Sequence, residues 1–309
     1  MIEYVQKSSE QPMNTKKKYD PGTWIIVTEP DRAELKKLAA DFHLDKNTLY
    51  DVLDPDEVSR VERIDFKDYL FVRFTKIDKH GKASTSPLLI VFNNDIIMTI
   101  SSKPIEALHA LKLEESDINT DDPHGLVIRI LQRVFDTYSE NIKQNAKSIQ
   151  KSIDKLRAHK LEHEDFVELV LVEDELAGFL GALTPVPPII ARFTNDKNSE
   201  IFNEWQAAEL EDVSLNIEQS INLCNSSMRR IVSLREAHST ISNNSLNNSM
   251  KILTMATLLL ALPNMIFGMY GMNIQLPFQN ETEAYALIIT GTLAMVLIVW
   301  IIAKTRKIF

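Results

Sequence analysis

Eight residues near the C-terminal end, Asn247, Met250, Thr254, Thr257, Ala261, Asn264, Gly268 and Gly271, are spaced by three or four positions and share one helix face. That face is small or polar. The opposite face, with Ile252, Met255, Leu259, Leu262 and Ile266, is bulky and apolar. Symmetric copies of this helix would bring the polar face together around an axis, the continuous polar lane that conduction requires. The ordinary alternative is a close-packed seam between helices, which also collects small residues. Asn264 argues against a simple seam, because an amide inside a membrane is costly unless it meets a partner or water. Elsewhere the chain has no Gly-rich phosphate loop, no paired His and Glu on one helix and no nucleophile motif.

The elements that must hold this face are apolar and long. After Lys251 an uncharged run lasts to Asn280, and Ile252 to Met272 is about long enough to cross a bilayer core. A second run, Ala284 to Ala303, makes a two-span hairpin. The intervening loop, Asn273 to Glu283, has the acids Glu281 and Glu283 and no Lys or Arg, whereas Lys251, Lys304, Arg306 and Lys307 flank the spans. The positive-inside rule then predicts a multi-pass protein of a cell membrane, inner or plasma, with both termini cytoplasmic. No Gly or Pro occurs from Ile189 to Leu262, which permits one helix from about Asn203 to Gly271. At 1.5 Å per residue it measures on the order of 100 Å. Leu210, Ile217, Cys224 and Ile231 recur every seven residues along it and predict a self-associating stalk. Between Ser239 and Ser249 the Ser, Asn and Thr residues are poor helix formers that need packing to stay helical. Carried back in the same phase, the polar stripe passes Thr240, Ser233, Ser226, Gln219 and Asp212. Glu236, in the adjacent phase, has two readings: an acidic ring around a polar lane, or an exposed stalk acid. Pro263 leaves the Leu259 carbonyl without its usual donor, which membrane helices tolerate when other groups satisfy it.

Upstream, the chain of 309 residues has a formal charge of -9, which argues against nucleic acid and suits either cation collection or a plain acidic surface. Cys224 is the one cysteine, so no internal disulfide is expected. The first twenty residues are polar and predict no cleavable signal. Strand-like runs at Trp24 to Val27, Val58 to Phe66, Tyr69 to Ile77, Leu88 to Phe92 and Ile96 to Ile100 alternate with helices after Asp31 and at Asn47 to Leu53. From Leu126 to Leu183 an antiparallel helical pair is expected, broken near Ala158 to Asp165 and closed by Pro185, Pro187 and Pro188. The fold class is therefore an α+β membrane protein: a cytoplasmic α/β domain over 1–120, a helical hairpin and stalk over 121–250, and a transmembrane hairpin over 251–309.

The tetrapeptide Tyr270-Gly271-Met272-Asn273, at the outer end of the penultimate span, resembles the signature of the CorA family of divalent-cation channels. The resemblance extends over Leu44 to Phe74, through Leu49-Tyr50-Asp51-Val52-Leu53, Arg60-Val61-Glu62 and Tyr69-Leu70-Phe71. It implies a homo-oligomer, a pentamer, in a lipid membrane, conducting divalent cations with no organic cofactor and no nucleic-acid partner. Mg2+ is the implied ion, both transported and regulatory, with cobalt or nickel as further cargo. Gly271, Met272 and Asn273 become the selectivity filter, the Asn273 amides holding the ion through its water shell. Met250 and Leu253 become a hydrophobic constriction beside the pore-lining stripe. Asp51 and Asp212 correspond to two acids that hold a regulatory ion between subunits. The chain departs from the family at Ile274-Gln275-Leu276-Pro277-Phe278, where many members carry a Met-Pro-Glu-like loop. A zinc transporter of the related ZntB type and a non-conducting membrane-anchored sensor are the rival readings.

Overall fold

A computed structural model describes residues 1–7, 13–79, 81–113, 118–195, 201–274, 276–277 and 283–305. Of the residues used above, Gln275, Phe278, Asn280, Glu281, Arg306 and Lys307 lie outside them. The chain divides into two compact units, Met1–Val232 and Ser233–Phe309.

The first unit is built on a seven-stranded sheet in the order β2-β1-β3-β7-β6-β5-β4. Its strands are β1 (Ile2–Gln6), β2 (Asn14–Lys16), β3 (Trp24–Thr28), β4 (Arg60–Ile64), β5 (Lys67–Ile77), β6 (Ala83–Phe92) and β7 (Ile97–Ser101). Only β3 and β7 pair in parallel, and the other neighbours are antiparallel. The central strands read as nearly continuous apolar runs because both sheet faces are covered. On one face Ile25, Val27, Tyr69, Phe71, Leu89 and Ile100 pack with Leu35, Leu38 and Leu49 from helices α1 (Arg32–Asp41) and α2 (Lys46–Asp51). Against the sheet also pack α4 (Pro123–Arg157) and α5 (His163–Leu183). Tyr138 of α4, fully buried, donates its hydroxyl to the Arg73 carbonyl at 2.9 Å. Glu175 of α5 accepts from the Ala83 amide at 2.8 Å.

Local signals explain the helix starts. Asp31 and Glu34 form a reciprocal capping box on α1, and Asp45 caps α2 by accepting from the Thr48 amide at 2.8 Å. That hydrogen bond holds the Asp45 carboxyl below its usual range. Asp122 caps α4 with Pro123 in its first turn.

Several expectations need correction. The polar N-terminal stretch contains β1 and β2, whose pairing with each other and with β3 is not written in any apolar run. A further helix, α3 (Glu106–Leu113), follows the sheet. Strand β6 begins at Ala83, not Leu88, because Pro87 is tolerated where β7 has ended as a neighbour. The helical pair closes at Leu183, before Pro185, as expected, but Pro187 and Pro188 then occupy the first turn of a further helix, α6 (Val186–Asn195), where amides have no helical acceptor. The long helix α7 runs over Glu204–Tyr270, within a residue of expectation at each end. Its heptad, however, is buried inside the first unit. Leu210, Ile217, Cys224 and Ile231 are each at most 1% exposed, and Ser220 meets Ser139 of α4 at 3.0 Å. That stripe is therefore intrachain core, and the sequence inference from heptad to self-association does not hold.

His124, at the start of α4, lies edge-on to Phe92 at 5.8 Å and to Phe202 at 5.4 Å. Burial lowers its pKa from 6.5, with Asp122 opposing. The unfolded chain thus takes the proton first as pH falls, so this group's contribution declines as pH drops past 6.5 and is lost below the folded value. In the full-length protein, His124→Leu is expected to flatten the fall in melting temperature between neutral pH and the mildly acidic range. An identical slope in the variant would refute the assignment.

Candidate functional site

In the second unit α7 is accompanied by α8 (Ala284–Thr305), and both are long and apolar enough to cross a membrane. Large apolar side chains stand exposed along both, among them Leu253, Leu260 and Met265 on α7 and Leu293, Leu297 and Ile301 on α8. Such a surface is foreign to water and needs lipid or further protein around it. Exposure is not uniform around α7. Met255, Leu259, Leu262, Pro263 and Ile266 are half-buried, as are Ile288, Ile289, Val296 and Val299 of α8, and Thr292 is buried. Of the five residues expected on the apolar face, only Ile252 is exposed.

Every member of the polar stripe, by contrast, is exposed: Asn247, Met250, Thr254, Thr257, Ala261, Asn264, Gly268 and Gly271. A groove of about 780 Å³ brings Asn247, Met250 and Thr254 together with Asn244 and Leu258. The Thr254 hydroxyl donates to the Met250 carbonyl at 2.8 Å and the Thr257 hydroxyl to the Leu253 carbonyl at 2.9 Å. Each hydrogen is thereby used within the helix, so these hydroxyls offer lone pairs outward. The stripe presents acceptor oxygen without formal charge.

At the filter residues α7 ends in two steps. The Gly271 amide still reaches the Phe267 carbonyl at 2.9 Å, and the Met272 amide tightens to the Met269 carbonyl at 3.2 Å. A side chain at Gly271 would bring its first carbon to 3.3 Å from the Phe267 carbonyl oxygen and 3.6 Å from that of Gly268. Glycine therefore spares the Phe267 carbonyl oxygen, which accepts from the Gly271 amide, a tight contact with a side chain at the helix end. Met272 and Asn273 are both exposed beyond it. The Tyr270 hydroxyl donates to the Pro277 carbonyl at 3.3 Å, closing the turn that carries Asn273. Tyr270 belongs to the tetrapeptide, but its role as a clasp depends on a partner seven residues away and was not legible from spacing.

The other predicted residues are dispersed. Glu236 is exposed on α7. Asp212 is exposed on α7 and Asp51 is half-buried at the end of α2. Among the described residues no group of three His, Cys, Asp or Glu is arranged to hold a metal. Asp51 instead accepts from Arg60 at 2.7 Å. The same guanidinium contacts Glu57 and Glu62 and lies 4.1 Å from the centre of the Phe71 ring. In the sequence Arg60 stands only within the run Arg60-Val61-Glu62. The acids clustered around it, Asp51, Glu57 and Glu62, were the available signal.

A soluble α/β unit, a long helix with a bare polar stripe and a second apolar helix define a two-span membrane protein. The chain belongs to the family of CorA-like Mg2+ transporter proteins, whose family model matches residues 20–305. It is a divalent-cation transporter of that family and not an enzyme. It is 26% identical over 285 residues to the cobalt/magnesium transport protein CorA of Methanocaldococcus jannaschii, covering 89% of this chain and 87% of that one. The complete structure of the CorA magnesium transporter from Methanocaldococcus jannaschii superimposes with a TM-score of 0.88 at 23% identity, over 98% of this chain and 97% of that chain. The ZntB cytoplasmic domain from Vibrio parahaemolyticus RIMD 2210633 shares the fold with a TM-score of 0.61 at 11% identity, over 78% and 98% of the two chains.

Tyr270→Phe removes the phenol donor while keeping the ring. A hydrogen bond of this kind contributes about 1 kcal/mol net, so amide exchange over 271–274 is expected to quicken roughly two- to tenfold. Unchanged exchange by mass spectrometry would show that the clasp does not hold the turn.

Proposed function

We propose that copies of this chain assemble with their α7 stripes around a common axis and form a channel for Mg2+ uptake. The observation that carries this reading is the exposure of the whole polar stripe in a single chain, beside a half-buried apolar face. Turned to lipid, the Asn264 amide alone costs roughly 1–3 kcal/mol. Turned to an axis, it meets water or its copies. A second support is the stretch Ser239 to Ser249, helical despite poor propensity and exposed on all sides within one chain. Neighbouring copies supply the missing packing. By family resemblance the assembly is a pentamer, and by the distribution of Lys and Arg both chain ends are cytoplasmic.

Mg2+ holds its water tightly and prefers hard oxygen ligands. Neutral amide and carbonyl oxygens at Gly271, Met272 and Asn273 suit an ion held through its water shell. Met250 and Leu253, both largely exposed, form the constriction that closes by excluding water. Mg2+ is favoured over the zinc alternative because the relative at 26% identity is a cobalt/magnesium transport protein, whereas the ZntB likeness stands at 11%. Cobalt and nickel remain further candidate cargo. Glu236 serves as an acidic ring at the cytoplasmic approach. The carboxylates of Asp51 and Asp212 suit a hard divalent ion chemically. Among the described residues of one chain no three such groups are arranged to hold a metal, so in this reading Asp51 and Asp212 hold it between copies, and its binding favours the closed channel.

In reconstituted vesicles Asn273→Ala is expected to lower Mg2+ uptake roughly ten- to hundredfold, the equivalent of losing one hydrogen bond to a charged group. Native-size oligomers with normal flux would sink the filter assignment, and absence of flux in the wild type would favour the sensor. Asn264→Leu is expected to block conduction without loss of assembly, and Leu259→Asn to impair membrane assembly. If the two behave alike, the faces are assigned wrongly.

A further inference from the structure

Arg60 is the first residue of β4 and stands directly across the ladder from Phe71 of β5. The hairpin they belong to turns at Asp65-Phe66, both with left-handed φ, 49° and 60°, the twist that two-residue hairpin turns favour. The cross-strand position puts the guanidinium over the Phe71 ring at 4.1 Å. Its side chain is 27% exposed, and it forks onto three acids: Nη2 donates to Asp51 at 2.7 Å, Nη1 contacts Glu57 and Nε contacts Glu62. A planar cation pinned on a ring is more than a floppy surface partner. Three negative charges and one positive leave this quartet at -2.

Two consequences follow. Asp51 already has a cation on one of its oxygens, and a divalent ion on the same carboxylate stands within a few ångströms of the guanidinium, where like charges repel. Yet Arg60 does not have to leave. Glu57, with its side chain 14% exposed, and Glu62 both keep hold of it if Asp51 turns away. Letting go of Asp51 forfeits one contact of three.

We propose that Arg60 is a built-in counter-cation that competes with the regulatory divalent ion for Asp51 and so sets the ion concentration at which the cytoplasmic unit responds. This rests on the reading of Asp51 as a ligand. The arginine holds Asp51 when the ion is scarce, keeping three clustered acids from repelling one another. As the ion concentration rises, Asp51 exchanges one cation for the other, while Glu57 and Glu62 retain the guanidinium on Phe71.

The test is limited proteolysis of the full-length protein in lipid nanodiscs across a Mg2+ titration, read as the midpoint of protection. Arg60→Gln is expected to lower the midpoint roughly two- to fivefold, the range set by partly exposed ion pairs. Glu62→Gln, which leaves Arg60 more of its charge for Asp51, is expected to raise it. Asp51→Asn raises or abolishes the response, and adding Arg60→Gln to Asp51→Asn changes nothing further. If Asp51→Asn shifts the midpoint but Arg60→Gln leaves it unchanged or raises it, the arginine positions the ligand and competition is overturned, while the ligand reading stands. An equal Arg60→Gln shift in the Asp51→Asn background marks a general charge effect and also overturns competition. Should neither single variant move the midpoint, the ligand reading of Asp51 itself fails. Thermal unfolding without Mg2+ checks each variant's fold, and Glu62→Gln, which leaves the stacked guanidinium in place, decides the sign if Arg60→Gln does not fold.

Discussion

Backbone hydrogen bonding along α7, interrupted at Pro263, is the constraint on which the rest of this molecule depends. A helix satisfies its own amides and carbonyls, so it can continue into a medium that offers no hydrogen bonds. Its side chains are then free to differ from one turn to the next. Through the first unit one stripe of α7, from Leu210 to Ile231, is buried as core. In the second unit one apolar face of α7 is half-buried, while the small-and-polar stripe is bare, as are further apolar side chains such as Leu253, Leu260 and Met265. Where the ladder ends, at Gly271, no Cβ crowds the carbonyl oxygens of Phe267 and Gly268.

The two kinds of polar site differ in how they are supported. On the stripe, Thr254 and Thr257 are oriented by carbonyls one turn back, so their geometry travels with the helix itself. At Arg60 the geometry depends on strand register, because a slip of one residue would take the guanidinium off Phe71 and turn it to the other face of the sheet. The first is local and tolerant. The second requires the whole hairpin to be correctly paired.

That difference explains what could be read from the sequence. The bounds of α7, the two spans and the polar face depend on the absence of Gly and Pro and on spacing by three and four, both local properties. The central strands were visible for the same reason. Strands β1 and β2 were not, since they are short, Asn14-Thr15-Lys16 has no apolar residue, and their place is set by pairing, Tyr4 with Lys16 and Tyr4 with Ile25. The heptad of Leu210, Ile217, Cys224 and Ile231 was seen but its partner was misjudged, because periodicity shows that a face is covered without showing by what. The place of Arg60 was hidden for a similar reason. Its acids come from α2, from the loop after it and from β4 itself, and only the ladder adds Phe71.

The pairing of β3 with β7 also has a bearing on how the protein is made. This parallel contact joins Trp24–Thr28 to Ile97–Ser101, so the sheet is closed by residues that all leave the ribosome well before Lys251. Domains generally fold as units during synthesis, N-terminal ones first. The sheet with its α1 and α2 layer can therefore be complete in water before any apolar span emerges. The insertion machinery would then receive a nascent chain whose leading part is folded, and the apolar segments would spend little time beside unpaired strand edges. Slow closure of that one non-local contact would bring the two hazards together, making β3–β7 pairing a point at which biogenesis can fail while the finished protein remains stable.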